Sequence, residues 1–540
     1  MPQISQSTKK LLQQYQIWYQ SLQPKEGVST IHVDEVASRV AAFYEKIREI
    51  VDWKEEHLMR RTAIIRKLKR RFLDLELKNF SVETTEIAES LVLELIRGGQ
   101  LPNDRIEETK ILKVQKTISK YIFILKNIPE AKKKQRLQFY SWILEVAACE
   151  IEESLYPFIK ENALIEYMFE LMKERIKLNE GIITIGGISE EEKNIQIYIA
   201  VQQSLFKLDH PIISYNLLKY RFPQWNSATP EWLSEVAKNI YAIWKKIEDD
   251  LSHSLGKKFY VICEKYDTSY LLLGDILSEE NPEEVAKKIT NPEILEGLIK
   301  GAYNKRLSTL KKRLFRAAFY STLSIFLVNI FAFLILEIPL AKLIAGRFSP
   351  LAITVDILGP TFLMFLLVTT IRPPSRSNLD VVIMETMKIV YQRETIDTYE
   401  IKVPKKRGLI MKFIVTLLYT IGAFISLGVI FLITQTAKFP PTSIVVEIVG
   451  VTLIVFAGLA IRRRAEELTV EEKPTSFSGF LFDIFALPIA SLGQWLSNKW
   501  KKYNAVAAFF NALIDMPFLV FVEFIEQWRY FLKEKKEEIR

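Results

Sequence analysis

Between Phe315 and Ile461 four long apolar segments alternate with clusters of basic residues, and no other feature restricts the fold of this chain as strongly. The first, Ala317 to Leu336, reads AAFYSTLSIFLVNIFAFLIL, with Asn329 its only strongly polar residue. As a helix it is about 30 Å long, the thickness of a bilayer's hydrocarbon core. Leu351 to Ile371, Leu409 to Thr434 and Ser443 to Ile461 are of comparable length. None has a charge at its centre, although Asp356, Lys412 and Glu447 lie toward their ends. A buried helix of a soluble protein shows a polar stripe and a shorter apolar run. Four transmembrane helices are therefore expected.

Basic residues near span ends resist translocation. Lys305, Arg306, Lys311, Lys312, Arg313 and Arg316 precede the first span, eight further Lys and Arg separate the second from the third, and Arg462, Arg463 and Arg464 follow the fourth. The opposite side has only Lys342, Arg347 and Lys438. This asymmetry predicts an integral, multi-pass membrane protein with both termini in the cytoplasm.

The charge balance is explained by the same clusters. With 73 basic and 64 acidic residues the chain carries +9. Lys311, Lys312, Arg313, Arg316, Arg462, Arg463 and Arg464 suit a bilayer with anionic headgroups at about 1 kcal/mol each, so nucleic acid is not required as a partner. Cys149 and Cys263 both fall in the part read as cytoplasmic, where thiols stay reduced. The first residues lack the apolar region of roughly 7 to 15 residues that a cleaved signal peptide needs, so the first span is expected to direct insertion.

The rest of the chain reads as helix, giving an all-α fold. Residues 1–300 are expected to form a helical cytoplasmic domain. Residues 301–464 form the four-helix transmembrane domain, with a cytoplasmic loop at 372–408, and 465–540 an amphipathic membrane-surface tail. Asp34 to about Leu77 has apolar residues at three-and-four spacing and a strongly basic later part from Arg60 to Arg71, either a solvated face or a contact for anionic lipid or an acidic partner. Further helices are predicted at Val82 to Arg97, Arg105 to Asn127, Ala131 to Tyr156, Pro157 to Leu178 and Ser189 to His210, with Pro157 in the first turn it opens. Thr229-Pro230-Glu231 predicts a threonine-capped helix start. Gly181 to Gly187 is the single candidate for a hairpin or extended turn.

Two stretches flank the spans. From Ile294 the chain lacks proline as far as the first span, so it runs either as one helix into the bilayer or with a break at Gly297 or Gly301. In the tail, Phe477 to Lys502 and Ala505 to Leu532 are aromatic on one face and polar on the other, as in helices that lie on a membrane. A fifth crossing through Val506 to Ile525 competes, at the cost of burying Asn511, Asp515 and Glu523; packing on the soluble helices is a third use of these faces.

Recognisable catalytic motifs are absent. The four histidines lie far apart, Gly256-Lys257-Lys258 lacks the rest of a phosphate loop, and no G-x-S-x-G occurs. No cofactor or metal is indicated. The groups of chemical interest are Glu337, Asp356 and Glu447, near one set of span ends, a candidate cation or proton site. Gly359-Pro360 after Asp356 can open the helix and expose carbonyls. As helix-end residues, the same acids reach interfacial water or pair with Lys342, Arg347 or Lys438. Gly422, Gly428, Gly450 and Gly458 suggest close helix packing.

The leading expectation is a non-enzymatic membrane scaffold or tether whose helical domain binds a cytoplasmic protein partner or a lipid surface, with a homo-oligomer left open. A cation channel or transporter using the three acids is the alternative, and a membrane enzyme with an unrecognised site the third.

Overall fold

A computed structural model describes residues 3–23, 27, 29–33, 60–69, 84–97, 100–130, 132–178, 188–339, 350–371, 373–392, 397–401, 408–439, 441–470, 477–502 and 528. The expectations for Gly181 to Gly187 and Ala505 to Leu532 fall outside these residues, as does most of Asp34 to Leu77, of which 60–69 is helical. The fold is all-α. In chain order the helices are α1 (Gln6–Ser21), α2 (Thr84–Arg97), α3 (Thr109–Lys126), α4 (Lys133–Leu155), α5 (Ile159–Arg175), α6 (Glu190–Phe206), α7 (His210–Arg221), α8 (Pro230–Leu251), α9 (Gly256–Glu279) and α10 (Pro282–Lys288). They continue with α11 (Pro292–Ala332), α12 (Pro350–Thr369), α13 (Arg376–Val390), α14 (Leu409–Thr436), α15 (Pro441–Ala465) and α16 (Phe477–Lys502). Two three-residue strands, Ile176–Leu178 and Tyr399–Ile401, pair with each other.

The chain forms two compact units. One comprises residues 10–176, 186–264 and 505–540, the other 1–9, 177–185 and 265–504. The first is organised around α4, which is buried almost all round from Trp142 to Glu152. Helices α2, α3, α7 and α8 contribute Leu91, Ile118, Leu217 and Ile240 to the same core. The helix starts follow their local signals. Ser189 and Glu192 form a reciprocal capping box at α6, and the Thr229 hydroxyl accepts from the Trp232 amide at α8. Pro157 differs from its reading: α5 begins at Ile159 with Phe158 as its cap residue, leaving the proline outside the first turn.

In the other unit, Asn281-Pro282-Glu283 and Asn291-Pro292-Glu293 open α10 and α11 in the same way. Each asparagine Oδ1 accepts from the amide two residues on, at 3.1 and 3.0 Å, and proline occupies a position where its missing N–H costs nothing. Helix α11 then runs unbroken for 41 residues through Gly297 and Gly301. Its early part buries Leu295, Ile299, Ala302, Tyr303 and Leu310, a three-and-four stripe. Beyond that the stripe ends and large apolar side chains such as Phe315 and Val328 are exposed.

Residues 372–408, read as a loop, contain α13, whose Val382, Ile383, Ile389 and Val390 are buried. Asn378 is the polar lock of this region. Its amide donates to the Tyr303 hydroxyl of α11 at 3.0 Å and to the Leu468 carbonyl at 2.7 Å, and its oxygen accepts from the Val470 amide at 2.8 Å. Asn378 is fully buried.

Among the described residues three helices are long and apolar enough to cross a membrane: Pro292–Ile335, Ile410–Thr436 and Ile444–Ala465. Ile353–Thr369 is a shorter apolar helix, and Pro360 lies inside α12. Helix α16 packs on the middles of α14 and α15. A Cβ at Gly422 would lie 2.6 Å from the Ile484 carbonyl oxygen, and one at Gly493 would collide with the Thr452 carbonyl. Ala486, Ile489 and Ala490 share a core with Met364, Leu367, Ile454 and Val455, and Tyr419 bonds Ser491 at 2.8 Å. Of the four glycines read as packing sites, Gly422 and Gly458 make close contacts, whereas Gly428 and Gly450 face open space.

Replacing Asn378 by alanine leaves the Leu468 carbonyl and the Val470 amide without this partner, at about 1–3 kcal/mol for each buried group left unpaired. Asn378→Ala is therefore expected to lower the unfolding temperature and abolish the slow hydrogen exchange of the Val470 amide. Unchanged protection at Val470 would show that the lock is dispensable.

Candidate functional site

The structure places the sequence-derived acids at one end of the apolar helices. Glu337 closes the π-helical turn Phe333–Glu337 that follows α11. Asp356 on α12 is buried at 6% exposure, and Glu447 on α15 is half-buried. Their neighbours Val355 and Ile444 meet in a small apolar cluster with Ala437 and Phe439 at the α14–α15 turn. Among the described residues no group of three or more His, Cys, Asp or Glu is arranged to hold a metal. The basic residues Lys311, Lys312, Arg313 and Arg316 on α11, and Arg462, Arg463 and Arg464 at the end of α15, are all exposed. Arg313 lines a cleft of about 420 Å³ that also receives Asp275, Glu279, Arg306 and Glu467. There Arg306 grips the Asp275 carboxylate with two guanidinium nitrogens, one at 2.9 Å.

A second and denser constellation was not anticipated. It is built on α4, whose sequence ACEIEESL puts three carboxylates into an apolar core helix. Glu150 accepts from Lys120 Nζ at 2.5 and 2.7 Å, from the Tyr121 hydroxyl at 2.8 Å and from Trp225 Nε1 at 3.1 Å. Lys120 also donates to the Trp225 carbonyl at 2.9 Å. Both members of this ion pair are buried, and burial lowers the Lys120 pKa against the pull of Glu150. One turn on, Glu153 accepts from the Tyr215 hydroxyl at 2.6 Å and from Lys219 at 2.7 and 2.9 Å. Burial and the adjacent Glu150 and Glu153 carboxylates raise the Tyr215 phenol, so it acts as a hydrogen donor across the physiological range.

Lys120, Glu150, Glu153 and Tyr215 form the floor of a cleft of about 1250 Å³. Lys113 and Lys116 of α3, Ser227, and Pro230 and Leu233 of α8 also line it. Each carboxylate oxygen of Glu150 and Glu153 accepts at least one hydrogen bond. A buried pair with its lone pairs occupied is fixed in one arrangement, and removing one partner is costly. The floor is thus a rigid, preorganised surface. The cleft's volume exceeds the roughly 300–1,000 Å³ of small-molecule pockets.

Glu152 projects about 200° away from Glu150 around the helix and lines an adjoining cavity of about 190 Å³ with Cys149, Phe158, Glu161 and Asn216, which shares Glu153 and Tyr215 with the cleft. It is 1% exposed, and its Oε1 lies 3.7 Å from Arg60 without a hydrogen bond. Burial pushes its carboxyl up to about 7, against the nearby Arg61 and Arg60 charges. Burial likewise raises the Cys149 thiol far above neutrality, which keeps it unreactive. The signal for this constellation was in the sequence: in a helix, acids at positions 150 and 152 cannot share one solvated face, so a core helix must bury at least one.

Compared with family models, curated proteins and solved structures, the chain matches none.

Glu152 sets a pH dependence of defined sign. A carboxyl whose folded pKa lies near 7, above an unfolded value of roughly 4.3, stabilises the fold while protonated. That contribution is complete below the unfolded pKa and is lost as pH rises through 7, at about 1.4 kcal/mol per unit. Glu152→Gln should therefore flatten the stability of the α4 core between pH 4.5 and 7, read by amide exchange of α4. A variant with the same pH slope as the parent would contradict the assignment.

Proposed function

We propose that the chain is a multi-pass membrane adaptor whose N-terminal helical region binds a peptide segment of a cytoplasmic protein in the cleft floored by Glu150 and Glu153. The observation that carries the membrane part is the exposure of the apolar helices. Phe413 and Phe424 of α14 are 67% and 73% exposed, and neighbours along the helix are similarly uncovered. In water such a surface is an aggregation site; in a bilayer it faces acyl chains. Helices α11, α12, α14 and α15 supply four crossings, and α16 is seated among them instead of resting only on the surface, because its small residues let it approach the backbones of α14 and α15. The exposed basic residues before the apolar part of α11 and at the end of α15 favour the cytoplasmic side for those points of the chain. An adaptor is favoured over an enzyme because the cleft floor is held still by its own ion pairs.

Two measurements test this. Cysteine at Thr442 should react with an impermeant thiol reagent in intact cells, and cysteine at Ser375 only after permeabilisation; the native Cys149 and Cys263 are buried. The reverse pattern overturns the orientation, and labelling of both from one side overturns the crossing count. A photo-crosslinking residue at Ser227, on the cleft, should give a discrete adduct with one cellular protein, while the same residue at exposed Lys238 should not. Absence of the Ser227 adduct removes the adaptor reading.

The burial of Asp356 in an apolar helix favours a second reading, cation or proton transfer through Asp356 and Glu447. It requires ion flux in proteoliposomes that Asp356→Asn abolishes.

A further inference from the structure

A groove of about 610 Å³ runs between α11 and α12. Leu314, Phe319 and Phe326 of α11, Phe365 and Val368 of α12 and Ile461 of α15 form its walls, and Lys311 stands at one end. We propose that this groove binds one acyl chain of an anionic phospholipid from the leaflet on the basic side, with the lipid phosphate held by Lys311. The proposal rests on the membrane reading above.

Three observations converge on this occupant. The first is chemical character. The groove contains threonines, but Thr361 donates its hydroxyl to the Ile357 carbonyl at 2.9 Å and Thr369 to the Leu366 carbonyl at 3.0 Å. Two of the three lining threonines thus spend their hydroxyls on their own helix, and Thr322 is the third. Walls with so few polar groups offer a polar peptide or an ion little to bond, whereas an alkyl chain needs no partner.

The second is length. Lys311 and Phe326 are fifteen residues apart on one continuous helix, a rise of about 22 Å. Half of a ~30 Å hydrocarbon core is about 15 Å, so a chain anchored at Lys311 lies within the groove to its end. Phe319 and Phe365 are 55% and 54% exposed, so these walls are uncovered by protein.

The third is charge. Lys311 is exposed at the mouth, Lys312 and Arg316 lie within the next turns, and Arg462 follows Ile461. Among the described residues the groove has no acidic lining residue. This separates it from the neighbouring cleft at Arg313, where Asp275, Glu279 and Glu467 balance the basic groups. A lysine at the end of an apolar groove extends its ammonium into the headgroup layer and favours an anionic headgroup over a zwitterionic one.

The test uses the full chain in phosphatidylcholine vesicles, with a fluorophore on cysteine at position 319 in the groove or at position 424 on the exposed face of α14. A few mole per cent of brominated phosphatidylglycerol or brominated phosphatidylcholine serves as quencher. At position 319 the anionic quencher should be about five-fold more effective than the neutral one, and Lys311→Gln should bring the ratio close to one. Position 424 should show quenching without preference. Equal quenching by both lipids at 319, or a preference that survives Lys311→Gln, overturns the proposed site and leaves the membrane reading standing. Absence of quenching at both positions means that the membrane reading itself fails. Native mass spectrometry of unlabelled parent and Lys311→Gln proteins checks the same result, with co-purified phosphatidylglycerol expected only in the parent.

Discussion

Helix α11 keeps its own backbone hydrogen bonds closed while its side chains change from a half-buried stripe to a largely apolar surface. Only a continuous helix does this without leaving amide groups unpaired, which is the requirement hydrocarbon imposes on any chain that enters it. Much of its unit is arranged around that rod. Asp275 of α9 and Asn378 of α13 attach to its early part through Arg306 and Tyr303, and α12 packs along its later part. Asn378 also ties Leu468 and Val470, just beyond α15, to the same place. The start and finish of the apolar bundle are thereby fixed to one another by three hydrogen bonds from a single buried amide.

The other unit solves a different problem. Its central helix α4 is surrounded by apolar neighbours yet carries Glu150, Glu152 and Glu153. Two of these are neutralised by lysines and phenols, which converts a desolvation cost into a fixed surface. Burial raises the pKa of the third to about 7, so that it keeps its proton below neutrality. A buried ion pair of this kind is weak evidence for stability, and removing one of its partners is costly.

Much of this architecture was legible in the residues. Pro129 and Tyr156-Pro157 bracket α4 closely, and the prolines and asparagines before α10 and α11 mark their starts. The apolar helices were visible because bilayer thickness demands a run that soluble helices do not need. Residues 372–408 enter the sequence reading only as the connection between two spans, although Val382, Ile383, Thr386, Ile389 and Val390 of α13 keep helical spacing. Phe477 to Lys502 was read from its aromatic face, whereas Ala486, Ala490 and Gly493, at four- and three-residue steps, mark the face that packs. The acids of α4 were passed over because their meaning lies in partners on α3 and α7, distant in sequence. The membrane acids were noticed for the opposite reason, since a charge in an apolar run stands out locally.

The claim on which this account depends is that one helix carries the chain from the packed helices around Leu295 to the exposed apolar surface around Val328. Spin labels at the exposed positions Ile294 and Leu327, read by pulsed dipolar spectroscopy in nanodiscs, measure it directly. Thirty-three residues of unbroken helix predict a narrow distance distribution centred near 50 Å. A broad distribution, or a mean well below that, would show a break at Gly297 or Gly301 and contradict the account.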